Sequence, residues 1–225
     1  MKKRTAFIGA ILSLIPLGQP LLIKTGVVLS TTGLILSVPE KVNAESADFY
    51  FDRAFEKGKN GDHYGAISDF TKAIEINPKD HDAYYNRGWN KGKLNDHYGA
   101  ISDYTKAIEI NPKDAKAFYN RGSRKNKLTD YYGAISDFTK AIEINPQYAT
   151  AYNNRGFSKT NLEDNYGAIS DYNKAIEINP NYALAFANRG SAKELIGDMK
   201  GACDDWRKAS SLGDEIPAKW VRNQC

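Results

Sequence analysis

The chain has 225 residues, with 31 Lys and Arg against 27 Asp and Glu, for a formal charge of +4. Residues 1–44 hold five basic residues and one acid, so residues 45–225 carry 26 of each. The basic surplus therefore lies in a leader, which argues against a nucleic-acid footprint over the rest, and two cysteines exclude a disulfide-dense scaffold or a Cys-rich metal site.

The leader opens on Lys2-Lys3-Arg4, followed by an apolar run over residues 6–23 that Pro16, Gly18, Gln19 and Pro20 interrupt. A second apolar run covers residues 27–38, and small residues stand at Val42 and Ala44. A charged start, an apolar stretch and small residues fit an export signal cleaved after Ala44. The same segment is long enough for an uncleaved anchor, since roughly 20 apolar residues span a bilayer. With one span, the basic start stays in the cytoplasm and the rest is exported. A two-span hairpin returns the rest to the cytoplasm. The expectation is a signal peptide or membrane anchor over 1–44, with the remainder in a periplasm or lumen, membrane-anchored, or cytoplasmic if the hairpin forms.

Beyond the leader the sequence repeats. Ile-Asn-Pro recurs at 76–78, 110–112, 144–146 and 178–180, and Gly-Ala-Ile-Ser-Asp starts at Gly65, Gly99, Gly133 and Gly167. Gly201-Ala202-Cys203-Asp204-Asp205 is a degenerate fifth copy, and Arg53, Arg87, Arg121, Arg155 and Arg189 keep the register. Five units follow: 47–80, 81–114, 115–148, 149–182 and 183–216. Each reads as two helices, the first over about fourteen positions. Asp62, Asp96, Asp130, Asp164 and Asp198 suit the N-cap of the second, because a carboxylate there accepts from orphan N–H groups. In the second unit Ala100, Ile101, Tyr104, Ala107 and Ile108 form one apolar face. Asn111-Pro112 ends the helix, because the residue before Pro is pushed out of the α region.

These units resemble the tetratricopeptide repeat (TPR) family. The matching residues of the second unit are Tyr84, Gly88, Ala100, Tyr104, Ala107 and Pro112, and the match recurs over residues 47–216. Ala54 departs from the pattern in the first unit, Arg87 and Lys91 stand where the family usually has Leu and Tyr, and Gly213-Asp214 replaces Asn-Pro in the fifth. The resemblance implies an all-α, right-handed α-solenoid of helix–turn–helix units. Residues 217–225, with Trp220 in the slot of Tyr84, read as a C-terminal capping helix.

In this family the first helices line a concave groove. By that analogy the groove-facing positions include Phe51, Phe55, Tyr85, Trp89, Tyr119 and Phe157, an aromatic strip. Asn86, Asn120, Asn154 and Asn188 form a row beside it, with Lys59, Lys93 and Lys127 further along. Aromatics offer contact area and Asn amides bond a peptide backbone in both directions; packing between helices is the alternative role for the strip. A known carboxylate clamp of the family is not matched, since Phe51, Phe55 and Asn120 occupy three of its places. The arginines are expected to pair with the preceding unit, Arg87 with Asp69, Arg121 with Asp103, Arg155 with Asp137 and Arg189 with Asp171; contact with a ligand is the other reading. Lys116, Arg121, Arg124, Lys125 and Lys127 make the third unit locally basic, as a solvated face or a patch for an acidic partner. Cys203 and Cys225 either close a disulfide over the cap, as export would favour, or leave one buried and one free thiol.

Three histidines, His63, His81 and His97, cannot share a metal, because equivalent places on packed helices lie about 8–10 Å apart. No phosphate-binding Gly loop and no Gly-x-Ser-x-Gly occurs. The reading is a non-catalytic scaffold without cofactor or metal, binding a protein or peptide, with a membrane connection through the leader. A generic soluble interaction module and a nucleic-acid-binding repeat are the alternatives.

Overall fold

The computed structural model describes residues 45–214, Cys225 and, within 1–44, the antiparallel pairing of Leu29–Ser30 (β1) with Gly33–Leu34 (β2). The remainder of the leader and the capping segment before Cys225 lie outside the described residues. Residues 1–44 and 45–225 form separate compact units. Among the described residues no helix is long and apolar enough to cross a membrane.

Among the described residues, 45–225 hold ten helices in five hairpins. They are α1 (Ala47–Lys59), α2 (His63–Ile76), α3 (His81–Lys93), α4 (His97–Ile110) and α5 (Ala115–Lys127), then α6 (Tyr131–Ile144), α7 (Ala149–Asn161), α8 (Asn165–Ile178), α9 (Ala183–Leu195) and α10 (Met199–Ser211). Each packs on its partner in the hairpin, and the second helix of each of the first four hairpins packs on the first helix of the next, giving the all-α right-handed solenoid. Successive first helices, α1, α3, α5, α7 and α9, also touch one another, so they crowd the inner face.

Local chemistry fixes the boundaries. Asp62, Asp96, Asp130, Asp164 and Asp198 each accept the N–H of the glycine three residues on at 2.9 Å. A Cβ on those glycines would run into the capping carboxylate, which explains a poor helix former in the first turn. The second helices of units one to four end at Asn77, Asn111, Asn145 and Asn179, each before a proline. The tyrosines at the starts of α7 and α9, Tyr148 and Tyr182, make no side-chain cap. Tyr148 instead packs its ring 5.0 Å from that of Tyr119. Burial pushes the Tyr182 hydroxyl up to about 12.

One large aromatic per unit forms the core: Phe70, Tyr104, Phe138, Tyr172 and Trp206, each at most 2% exposed. Full burial of such a side chain contributes roughly 1.5–3 kcal/mol. Fully buried alanines, Ala66, Ala73, Ala100, Ala107 and their equivalents, let the helices approach. The first helix crosses closest at Gly190, where a Cβ would lie 2.5 Å from Trp206 Nε1. Ala54 fills that slot in the first unit, fully buried in the cluster that holds Phe70.

The arginine ladder is structural, but its pairing differs from the sequence expectation. Arg87 forks onto Asp103 of its own unit, Nε to Oδ2 at 2.9 Å and Nη2 to Oδ1 at 2.7 Å. Arg53, Arg121, Arg155 and Arg189 likewise take Asp69, Asp137, Asp171 and Asp205. The preceding unit supplies only a hydroxyl, Thr71 for Arg87 at 3.0 Å, Thr105 for Arg121 and Thr139 for Arg155; for Arg189 it supplies the amide oxygen of Asn173. The planar guanidinium directs two N–H groups at one carboxylate and a third sideways, so Arg87, Arg121, Arg155 and Arg189 each tie their own hairpin and the one before. A lysine four residues on completes each carboxylate: Lys57, Lys91, Lys125, Lys159 and Lys193, each 2.8 Å from its aspartate.

The Asp69 triad predicts acid sensitivity. Hydrogen bonding from Arg53, aided by Lys57, holds Asp69 down at about 2 despite opposing desolvation. The unfolded carboxylate titrates near ~3.9. A folded value below the unfolded one gives stability that is present above the unfolded pKa and lost as pH falls through the folded one. Denaturant midpoints read by circular dichroism should be level above pH ~5 and fall between about 4 and 2. A loss centred above pH ~5 would contradict this account of Asp69.

Candidate functional site

The inner face is built from the fifth, sixth and ninth places of each first helix. The sixth place is Asp52 in the first unit and holds Asn86, Asn120, Asn154 and Asn188 in the others. Three of these bond across to the neighbouring helix. Asn120 Nδ2 donates to Tyr85 Oη at 2.8 Å, Asn154 Nδ2 to Tyr119 Oη at 3.0 Å and Asn188 Nδ2 to Asn153 Oδ1 at 3.0 Å. Phe51, in the same place as Tyr85, offers no acceptor, and Asn86 turns back to donate to Asp82 O at 2.8 Å. The row therefore locks one unit to the next. Burial, with the charge of Asp114, raises the Tyr85 hydroxyl above its usual range.

The aromatic strip divides in two. Phe51, Tyr85 and Tyr119 are half-buried against core rings: Phe51 lies 5.4 Å from Phe70, Tyr85 5.7 Å from Tyr104 and Tyr119 5.8 Å from Phe138. Phe55, Trp89 and Phe157 are 50, 38 and 43% exposed and face outward from the packing. The ninth place of the third unit is Ser123, which interrupts them.

Two cavities flank that interruption. The first, about 290 Å³, lies between α1 and α3, walled by Phe55, Tyr85 and Trp89 over Phe70, with Lys59 at its rim. The second, about 410 Å³, is more polar: Asn126, Asn153, Asn154 and Asn188 line it beside Phe157 and Lys127. A third hollow of about 590 Å³, at the N-terminal ends of α3 and α5, is lined by His81, Asp82, Asp114 and Lys116. Lys93 Nζ lies 4.9 Å over the Trp89 ring, within cation–π range. His63 meets the same ring edge-on at 5.8 Å and places Nδ1 2.9 Å from Asn90 Oδ1.

The basic third unit is not a free patch. Arg121 and Lys125 are taken by Asp137, and Arg124 Nη1 donates to Gly92 O at 3.3 Å. Lys116 and Lys127 remain as exposed cations. Cys203 and Cys225 are disulfide-bonded, with Cα atoms 5.7 Å apart. Among the described residues no group of three or more His, Cys, Asp or Glu is placed to hold a metal ion.

Three features escape a reading of the sequence by family analogy. The third member of each triad, Lys91 and its repeats, was visible only as a departure recurring every 34 residues. The tenth and twelfth places of adjoining first helices match in size: Gly58 leaves room for Asn90, Gly92 for Arg124, and Asn126 accepts from Ser158. Tyr64, Tyr98, Tyr132 and Tyr166 stand 75–77% exposed on the second helices, away from the inner face.

Models of the tetratricopeptide repeat match residues 47–80, 81–114, 115–148 and 149–182. No curated protein sequence matches the chain. Among solved structures, a crystal structure of MamA protein is 27% identical, with a TM-score of 0.71 over 78% of this chain and 96% of that one. YrrB, described as a TPR protein with an unusual peptide-binding site, is 23% identical, with a TM-score of 0.70 over 80% of this chain and 93% of that one. MamA from Desulfovibrio magneticus RS-1 is 20% identical, with a TM-score of 0.71 over 74% and 94% of the two chains. The last two show a shared fold.

Proposed function

We propose that this chain, which belongs to the tetratricopeptide repeat family, is a non-catalytic scaffold holding a segment of a partner protein in its concave groove. One observation carries the reading: the exposed aromatics Phe55, Trp89 and Phe157 line two cavities on the face formed by the first helices. Core packing does not account for them, whereas Phe51, Tyr85 and Tyr119 each lie against a buried ring. Large apolar side chains left open beside hydrogen-bonding groups are the chemistry of a recognition site. YrrB, of the same fold, is described as having a peptide-binding site, which supports the reading by analogy. The leader supports a place at a membrane, as an adaptor or assembly factor; a soluble interaction module is the alternative.

The test is affinity capture from the native cell with the wild-type protein and a Phe55→Ala/Trp89→Ala/Phe157→Ala variant. All three side chains are exposed, so both proteins should give the same circular dichroism spectrum. A partner retained by the wild type and lost by the variant is the expected result. Equal capture by both would overturn the groove reading. A partner recovered wholly from the soluble cytoplasmic fraction would remove the membrane part alone.

A further inference from the structure

We infer that the groove selects an acidic segment with one large apolar side chain, which seats in the cavity between α1 and α3. This rests on the groove reading and adds the chemistry of the ligand.

The cavity is sized for one side chain. Its volume of about 290 Å³ lies at the lower end of the range for small-molecule sites. Its walls come from two neighbouring units, Phe55 from α1 and Tyr85 and Trp89 from α3, and Phe70 closes the floor. The walls are held in advance. Tyr85 accepts from Asn120, Trp89 is braced by His63, and Asn90 beneath it is 3% exposed and donates to Asn86 O at 2.8 Å. An apolar side chain entering this site displaces water without reordering the protein, and preorganisation of that kind favours affinity.

Charge is sorted across the groove. At the C-terminal ends of the first three inner helices the same place holds Lys59, Lys93 and Lys127. The lysines two residues earlier, Lys57, Lys91 and Lys125, are taken by aspartates. The outer three are not. Lys59 reaches Glu56 only at 4.0 Å, with both side chains more than 60% exposed, a pair of little energetic value. Among the described residues Lys93 and Lys127 have no carboxylate partner. Lys59 and Lys93 stand beside the aromatic cavity and Lys127 beside the second one. The opposite edge of the first two units is acidic, with Asp48 and Asp82 in the first turns of α1 and α3. Carboxylates flanking the apolar anchor would be drawn to the lysine edge and repelled from the other, which sets the orientation of the segment. Among the described residues the lysine edge sets three lysines against one exposed carboxylate, Glu56, with Asp52 one turn back on α1.

The test uses end-blocked nonapeptides with a fluorescent label, read by anisotropy against the full chain. One carries Phe flanked by Asp and Glu, a second the same Phe flanked by Lys, and a third Ala flanked by Asp and Glu. The acidic Phe peptide should bind most tightly. Exchanging its Phe for Ala, or its acids for Lys, should each weaken binding about tenfold or more. Phe55→Ala/Trp89→Ala and Lys59→Gln/Lys93→Gln should each cost a similar factor, and raising salt should weaken the acidic peptide. Four results would overturn the inference: no binding of the acidic Phe peptide up to about 1 mM, equal binding of acidic and basic peptides, indifference to Lys59→Gln/Lys93→Gln, or indifference to Phe55→Ala/Trp89→Ala. If binding is lost only in a Phe157→Ala/Asn188→Ala variant, the groove reading stands and this inference falls. If no groove variant alters peptide binding, both fall.

Discussion

Replacing Asp103 by Ala is expected to lower the unfolding free energy by about 3–5 kcal/mol. Its carboxylate is 3% exposed and answers two cations, Arg87 at 15% and Lys91 at 20% exposure. Removing it leaves both cations pressed together in a partly dry site with no counter-charge. That penalty comes from the abandoned partners rather than from the net value of the pair. Asp69 provides the internal control. Arg53 and Lys57, on the first hairpin, are 37 and 35% exposed, and water can resolvate them. Asp69→Ala should therefore cost clearly less than Asp103→Ala in urea titrations followed by circular dichroism. Equal losses would show that the triads act through something other than buried charge. Because repeats unfold as coupled neighbours, the Asp103 variant should also broaden the transition.

Breaking the Cys203–Cys225 bridge is expected to cost about 3 kcal/mol, from the chain entropy of closing a loop of this size; the two cysteines are 22 residues apart. Cys203 is 8% exposed and occupies the slot held by Ile67, Ile101, Ile135 and Ile169, so it has a packing role as well. Cys225→Ser separates the two contributions, because it removes the bridge and leaves the Cys203 thiol in place. Cys203→Ser and Cys225→Ser should both melt earlier than the wild type without reductant. The gap between wild type and Cys225→Ser should close when reductant is added. A gap that persists in reductant would mean that the C-terminal segment is held by packing and not by the bridge.

Periodicity made the helices and their caps legible. The capping aspartates, the Asn-Pro stops and the aromatic core slot all follow from local rules that act within a few residues. The pairing of Arg87 did not follow. A first helix runs antiparallel both to the second helix of its own unit and to that of the preceding one, so a 34-residue period allows Asp103 and Asp69 equally. Only the direction of the guanidinium decides, and it divides its donors between Asp103 and Thr71. The Asn row was legible as a row but not as a set of locks. The bonds from Asn120 to Tyr85 and from Asn154 to Tyr119 span 35 residues, one more than the period. That offset becomes visible once the first helices are known to touch. For the same reason the aromatic strip looked continuous: the sequence separates Tyr85 from Trp89 by one turn, but packing turns one ring toward Tyr104 and leaves the other open.

The central claim is that the inner face, and not the outer one, receives the partner. A photo-crosslinking benzoylphenylalanine placed singly at Trp89, at Phe157 and at Tyr98 tests it in the native cell. Tyr98 is 76% exposed on a second helix and serves as the outer-face control. Crosslinks to one partner protein from positions 89 and 157, absent from position 98, are the result this account predicts. Crosslinks from position 98 with none from 89 or 157 would place recognition on the outer face and contradict it.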